Sequence, residues 1–142
     1  MTTDTAVPRL LGGAAALLLF LGLLTGGYAA FAMTGQLPAD PQAALAAHLN
    51  GLLGAFLLLG VAWSVPLLGY GDAGLRRLAW LFIVPSYANW LVTAVKAWLH
   101  VAGLGRTGDP ANDAVFIVLN LTVVLPSLVA AAAWFEGFRR GR

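Results

Sequence analysis

The chain has 142 residues and no cysteine. That absence excludes disulfides, iron–sulfur clusters, thiolate-ligated haem and thiol catalysis, and leaves the redox compartment unreadable. Charge is also scarce: 10% of the residues are charged, against roughly 25% in an average soluble domain. There are two histidines, two methionines and six acidic residues, so the donors of a multi-ligand zinc or di-iron site are nearly missing. The eight basic residues give a net charge of only +2 and are spread over termini and loops, which is no footprint for nucleic acid. No internal repeat is visible.

Apolar residues dominate instead, at 60% of the chain. A soluble fold would leave too much of this surface in water, so the composition indicates an integral membrane protein. A spanning helix needs about 20 mostly apolar residues. Four segments qualify, at about 8–33, 41–68, 75–102 and 112–138, joined by the turn-forming stretches QLPADP, GYGDAG and GLGRTGDP. These runs are too long for barrel strands, and in lipid only helices and closed barrels satisfy their backbone groups. The expected fold is therefore a single all-α domain, a four-helix transmembrane bundle. Arg9 precedes an apolar run too long for a cleavable signal, without a convincing cleavage site, so the first segment is expected to be a retained helix.

Arg9, Arg76, Arg77, Arg139, Arg140 and Arg142 lie at the termini and in the middle loop, whereas the first and third loops carry only Arg106. The positive-inside rule then places both termini in the cytoplasm, in a membrane of the bacterial inner (cytoplasmic) type, with His48 and His100 near the outer face.

Polar residues recur with helical spacing. On the third segment Ser86, Asn89, Thr93, Lys96 and His100 form one stripe, with Leu78, Phe82 and Leu91 expected opposite. On the fourth, Asp113, Asn120 and Ser127 share a face. On the second, His48 shares a face with Gly51, Leu52, Ala55, Leu59 and Ala62, whose small members permit close helix approach. Asn50 points about 200° away from His48, so one partner cannot easily satisfy both. Three helices thus bring polar groups to one half of the bundle, and intramembrane ionisable groups are functional candidates by default.

Each candidate also has a plainer role. His48 reads either as a hydrogen-bonded helix-end histidine or as a metal ligand. Because a porphyrin needs only one or two axial residues from the protein, haem is the metal cofactor this composition best permits. Lys96 and His100 either snorkel to the interface or, for Lys96 together with Arg106, pair a haem propionate or another anion. Asn89 makes either an interhelical hydrogen bond worth about 1 kcal/mol or a substrate contact. Tyr87, Trp90 and Trp98 read as interface or packing aromatics, with Tyr87 and Asn120 also carried as candidate substrate contacts. The glycines of LGLLTGG read as close-packing sites, and Pro66, Pro85 and Pro126 as kinks or ends of helices. Asp113 reads as a first-turn acid favoured by the helix dipole.

Taken in order, LLLFLGLLTG, AHLNGLLGAFLLLGVAW and SYANWL resemble the small four-helix membrane proteins related to hydroxylaminobenzene mutase and styrene oxide isomerase. The stretch from AHLNG to VPLLGYGDAGLRRL resembles the epoxide isomerases, which keep a Ser-Asn pair where this chain has Ala88 and Asn89. The resemblance implies a homo-oligomer, a trimer, with haem b near subunit interfaces and His48 as its axial ligand. It implies an open opposite face for the substrate oxygen and ferric iron acting as a Lewis acid without net redox. The substrate would be a small apolar aromatic: an arylhydroxylamine rearranged to an aminophenol, or an aryl epoxide opened to an aldehyde. Asn89 and Thr93 would line the pocket with Asn50 and Asn120, and Lys96 would help hold the cofactor. The epoxide isomerases carry asparagine, aspartate and tyrosine where this chain has Gly54, Pro85 and Thr93, and YANW tilts the reading to the mutase side. Two other classes are carried beside the isomerase: a haem electron carrier clamped by His48 and His100, and a cofactor-free scaffold or transport subunit.

Overall fold

The computed structural model describes residues 5–141; Arg142, counted above among the topology arginines, lies outside them. Four helices long and apolar enough to cross a membrane account for most of the described residues. They are α1 (Ala6–Met33), α2 (Pro41–Ser64), α3 (Asp72–Leu99), and a fourth span made of α4 (Pro110–Leu119) and α5 (Leu125–Arg140).

The helix ends follow local chemistry. Asp40 caps α2, its carboxylate accepting from the Ala43 N–H at 2.7 Å, and Pro41 fills the first position, where no donor is needed. Asp109 and Pro110 repeat the device on α4. Pro66 closes α2 through a short 3₁₀ turn over Val65–Leu67. α3 stops three residues before the expected end because His100 turns left-handed (φ 53°). The fourth span is continuous but widens to a π-turn over Asn120–Val124, which ends two residues before Pro126. Proline lacks the N–H and crowds the carbonyl four residues back; the wider turn absorbs that crowding.

Helices α1, α2 and α3 pack together around Leu11, Leu18, Leu58 and Val61, all fully buried. The α1–α2 crossing sits at Gly22 and Gly51. A Cβ on Gly51 would lie 2.6 Å from the Gly22 Cα and 3.1 Å from the Trp90 ring. Gly51→Ala is therefore expected to cost about 1–3 kcal/mol by overpacking. Gly60→Ala, on the same helix with nothing within 4 Å, is expected to be neutral or stabilising. Detergent-denaturation midpoints of the two variants check this, and equal midpoints would remove the crossing from the account.

The fourth span leans mainly on α3. It is latched at the arginine-rich end, where Trp134 Nε1 donates to Ser64 Oγ (2.8 Å), Tyr70 Oη donates to the Ala133 carbonyl (2.7 Å) and the Gly69 N–H donates to the Gly137 carbonyl. Only 11% of its most apolar window is buried, against 39% for α2 and for α3, so most of its surface faces lipid or another chain.

One expectation about α3 is corrected. Leu78 and Phe82 do not lie opposite the polar stripe; both are buried in the core. Phe82 is four residues before Ser86, only about 40° away, and so continues the inward face. Leu91, half exposed, does lie on the outer side.

Candidate functional site

The polar half of the bundle divides into two sites on different sides of α2. The first is His48, about 10 Å along the helix from Pro41 and therefore well inside the span. Its imidazole turns to α1, where Nδ1 lies 2.7 Å from the Gly22 carbonyl oxygen. A carbonyl only accepts, so Nδ1 carries the proton. In the neutral ring Nε2 is then a lone pair, and among the described residues it has no hydrogen-bond partner. The ring rests on the bare backbone of Gly26, where an added Cβ would lie 3.1 Å from Cε1 and 3.2 Å from Nδ1. Gly22 and Gly26 are four residues apart and share a face of α1. One glycine supplies the carbonyl and the other the space. This arrangement suits a metal-bound histidine, whose second nitrogen is held by an orienting acceptor.

The second site is an amide cluster between α2 and α3. Asn50 Nδ2 donates to Asn89 Oδ1 (3.2 Å) and to Thr93 Oγ1 (3.1 Å). Asn50 and Asn89 open on a cleft of about 210 Å³ that the fourth span closes with Val123 and Ser127. Gly54, Pro85 and Ser86 line the same cleft, with Leu53 and Leu57 as its apolar wall. Thr93 is buried behind the two amides. Asn50 Oδ1 and Asn89 Nδ2 remain without partners among the described residues, and neither is sealed in the core. Flipping both amides exchanges these roles without removing them. Either way the pair presents one acceptor and one donor to the cleft.

Not every candidate joins these sites. Lys96 donates to the Ala102 carbonyl (3.2 Å) in a separate cleft with Asp40 and His100. His100 Nε2 is 3.1 Å from the Pro38 carbonyl, so the two imidazoles are held by different partners. Tyr87 turns to α1, where Oη donates to the Ala14 carbonyl (2.8 Å). Asn120 donates back to the Phe116 carbonyl of its own helix (2.8 Å). Asp113 accepts from the Thr107 N–H and from Asn112. Sequence reasoning left Gly22 and Gly26 as mere packing sites, although their G-x-x-x-G spacing below a histidine on the neighbouring helix was the available signal. It also passed over Ser86 and Ser127, which the stripes contained, as lining residues.

The fold and these two sites define a multi-pass membrane protein with a ligand-competent histidine and a small amide-lined cleft inside the span. The comparisons name the class further. Residues 7–139 match the family model described as styrene oxide isomerase. The chain is also similar to hydroxylaminobenzene mutase HabB of Ectopseudomonas oleovorans, with 34% identity covering 97% of this chain and 85% of that one. The chain belongs to the styrene oxide isomerase family, and it is a membrane isomerase of the styrene oxide isomerase and hydroxylaminobenzene mutase kind. The electron-carrier and scaffold alternatives give way to that membership.

Proposed function

We propose that this isomerase converts an arylhydroxylamine to an aminophenol using haem b held by His48, as a homotrimer in a bacterial-type cytoplasmic membrane with both termini inside. The observation that carries the reading is the His48 imidazole, oriented by the Gly22 carbonyl and cleared by Gly26, with Nε2 unengaged. The residues present fit the group: one imidazole held at Nδ1 with Nε2 unengaged, bare Gly26 backbone against the ring, and no cysteine to compete. When bound, ferric haem supplies a Lewis acid for the departing oxygen, without net redox.

The chain's own residues do the rest. Leu53, Leu57 and Val123 take the aryl ring, and a substrate that dissolves in lipid reaches the cleft from the membrane. Asn89 and Asn50 offer one donor and one acceptor, which match the N–O–H of a hydroxylamine. An epoxide can only accept, so it would leave the amide acceptor idle. Gly54, Pro85 and Thr93 also replace the polar residues that the epoxide isomerases are expected to carry, and two of the three line this cleft. The similar protein HabB is named a hydroxylaminobenzene mutase, which supports the same choice. Aryl epoxide opening is the second reading, favoured by the description of the matching family.

Trimer formation fits the placement of the two sites. His48 faces α1 and the amide cluster faces α3, so one protomer's His48 points away from its own cleft. A neighbouring copy, seated on the uncovered fourth span, would bring a cleft to that haem. The test is the spectrum of protein purified from haem-replete cells, followed by product analysis with phenylhydroxylamine and styrene oxide side by side. A haem spectrum that shifts on adding an N-donor ligand is expected, with aminophenol formed faster than aldehyde. Colourless protein with full turnover would overturn the cofactor; faster aldehyde formation would overturn the substrate.

A further inference from the structure

At the arginine-rich end, Trp80 stands half exposed as a ridge between two open apolar grooves. The first, of about 780 Å³, runs from Arg76 and Arg77 along Leu81 and Val84 to Pro126. The second, of about 730 Å³, runs from Arg9 along Gly13 and Leu17 to Tyr87. Both fall in the size range of clefts that hold lipophilic molecules. Arg9, Arg76 and Arg77 are exposed and have no carboxylate partner among the described residues. Asp72, one turn before Arg76, pairs with neither. By contrast, Arg139 and Arg140 are both engaged by Glu136, at 3.3 and 3.0 Å.

A topology signal needs only charge in the loop. It does not need each charge to stand at the mouth of an apolar groove, nor a tryptophan between the grooves. We propose that this face binds a glycerophospholipid with a net anionic headgroup. Its phosphate sits among Arg9, Arg76 and Arg77, and one acyl chain lies in each groove, astride Trp80. Arginine matches phosphate through paired N–H donors, and a basic residue near an anionic lipid surface is worth about 1 kcal/mol. The site rests on the fold alone and is independent of the haem reading.

Full-length protein in mild detergent, mixed with equal amounts of phosphatidylglycerol and phosphatidylcholine, tests this by native mass spectrometry of the retained lipid. Selective retention of phosphatidylglycerol is expected. Arg76→Gln and Arg77→Gln should each lower that selectivity about fivefold, while Arg139→Gln leaves it unchanged. Val84→Trp, which fills the grooves and keeps every arginine, should also release the lipid. An excess of glycerol phosphate should not displace it. Equal losses from Arg139→Gln and Arg77→Gln would show a diffuse charge effect and overturn the site. Retention by Val84→Trp, or displacement by glycerol phosphate, would show that the grooves play no part. Retention blind to the headgroup would point to a second copy or an uncharged lipid and sink the proposal.

Discussion

His48→Ala is expected to leave the protein folded in the membrane but without bound haem, and to lower turnover by on the order of 10³-fold. A metal acting on a departing oxygen supplies several kcal/mol, and about 4 kcal/mol is a thousandfold in rate. Folding should survive because the helix crossing depends on Gly22 and Gly51, not on the imidazole. Added imidazole should restore part of the pigment, since the vacated space opens on the bare backbone of Gly26. Gly26→Val is the companion variant. Its Cβ would come within 3.2 Å of two ring atoms, so it should turn the ring and lower haem affinity by about 10–100-fold, the usual cost of disturbing the support of a metal ligand. Pyridine haemochrome assays and turnover with phenylhydroxylamine measure both effects. If His48→Ala keeps full pigment and full rate, the ligand assignment is wrong, whatever Gly26→Val does.

The four spans were legible because lipid demands long apolar runs, and length alone identifies them. Their ends were less legible. The end of α3 depends on His100 adopting a left-handed conformation that asparagine or glycine adopts more often. The π-turn before Pro126 is one of several ways a helix absorbs a proline, and periodicity does not choose among them. For the sites, helical angles carried real information. The 200° between His48 and Asn50 implied two partners, and the structure supplies α1 for one and α3 for the other. The same angles say nothing about which neighbour lies on a given side. Tyr87 follows Ser86 by one residue, about 100° round the helix, and that step carries it to Ala14 of α1 and away from the amide cleft. Asn120 spends its amide on Phe116 at the start of the π-turn, a local choice invisible to spacing. Lys96 stays in the stripe, yet its ammonium reaches the carbonyl of Ala102 in the loop just past the end of α3. What the sequence could not show is which helix meets each side of α2, α1 at His48 and α3 at Asn50, and so how one polar half becomes a histidine site and an amide site.

That division makes the second large prediction separable from the first. Asn89→Leu is expected to lower kcat/KM by about 10²-fold, the scale for losing one donor aimed at developing charge, with haem content unchanged. Asn50 has two parts: it lines the cleft with one end of its own amide, and the other end holds Asn89 Oδ1 at 3.2 Å and Thr93 Oγ1 at 3.1 Å, which fixes the rotamer that offers the other end of Asn89 to the cleft. Asn50→Ala leaves Asn89 in the cleft and should cost less on its own, about tenfold. The double variant should then be worse than Asn89→Leu by less than about tenfold, because the orienting share of Asn50's part is lost once Asn89 is gone. A purely structural role for Asn50 would instead lower stability and leave the cycle additive, so melting midpoints are measured beside the kinetics. Thr93→Ser keeps the hydroxyl that accepts from Asn50 and should retain most of the activity, whereas Thr93→Val removes it and should resemble Asn50→Ala. Additive losses across the pair, or haem loss accompanying Asn89→Leu, would mean that the amides do not act as one unit apart from His48.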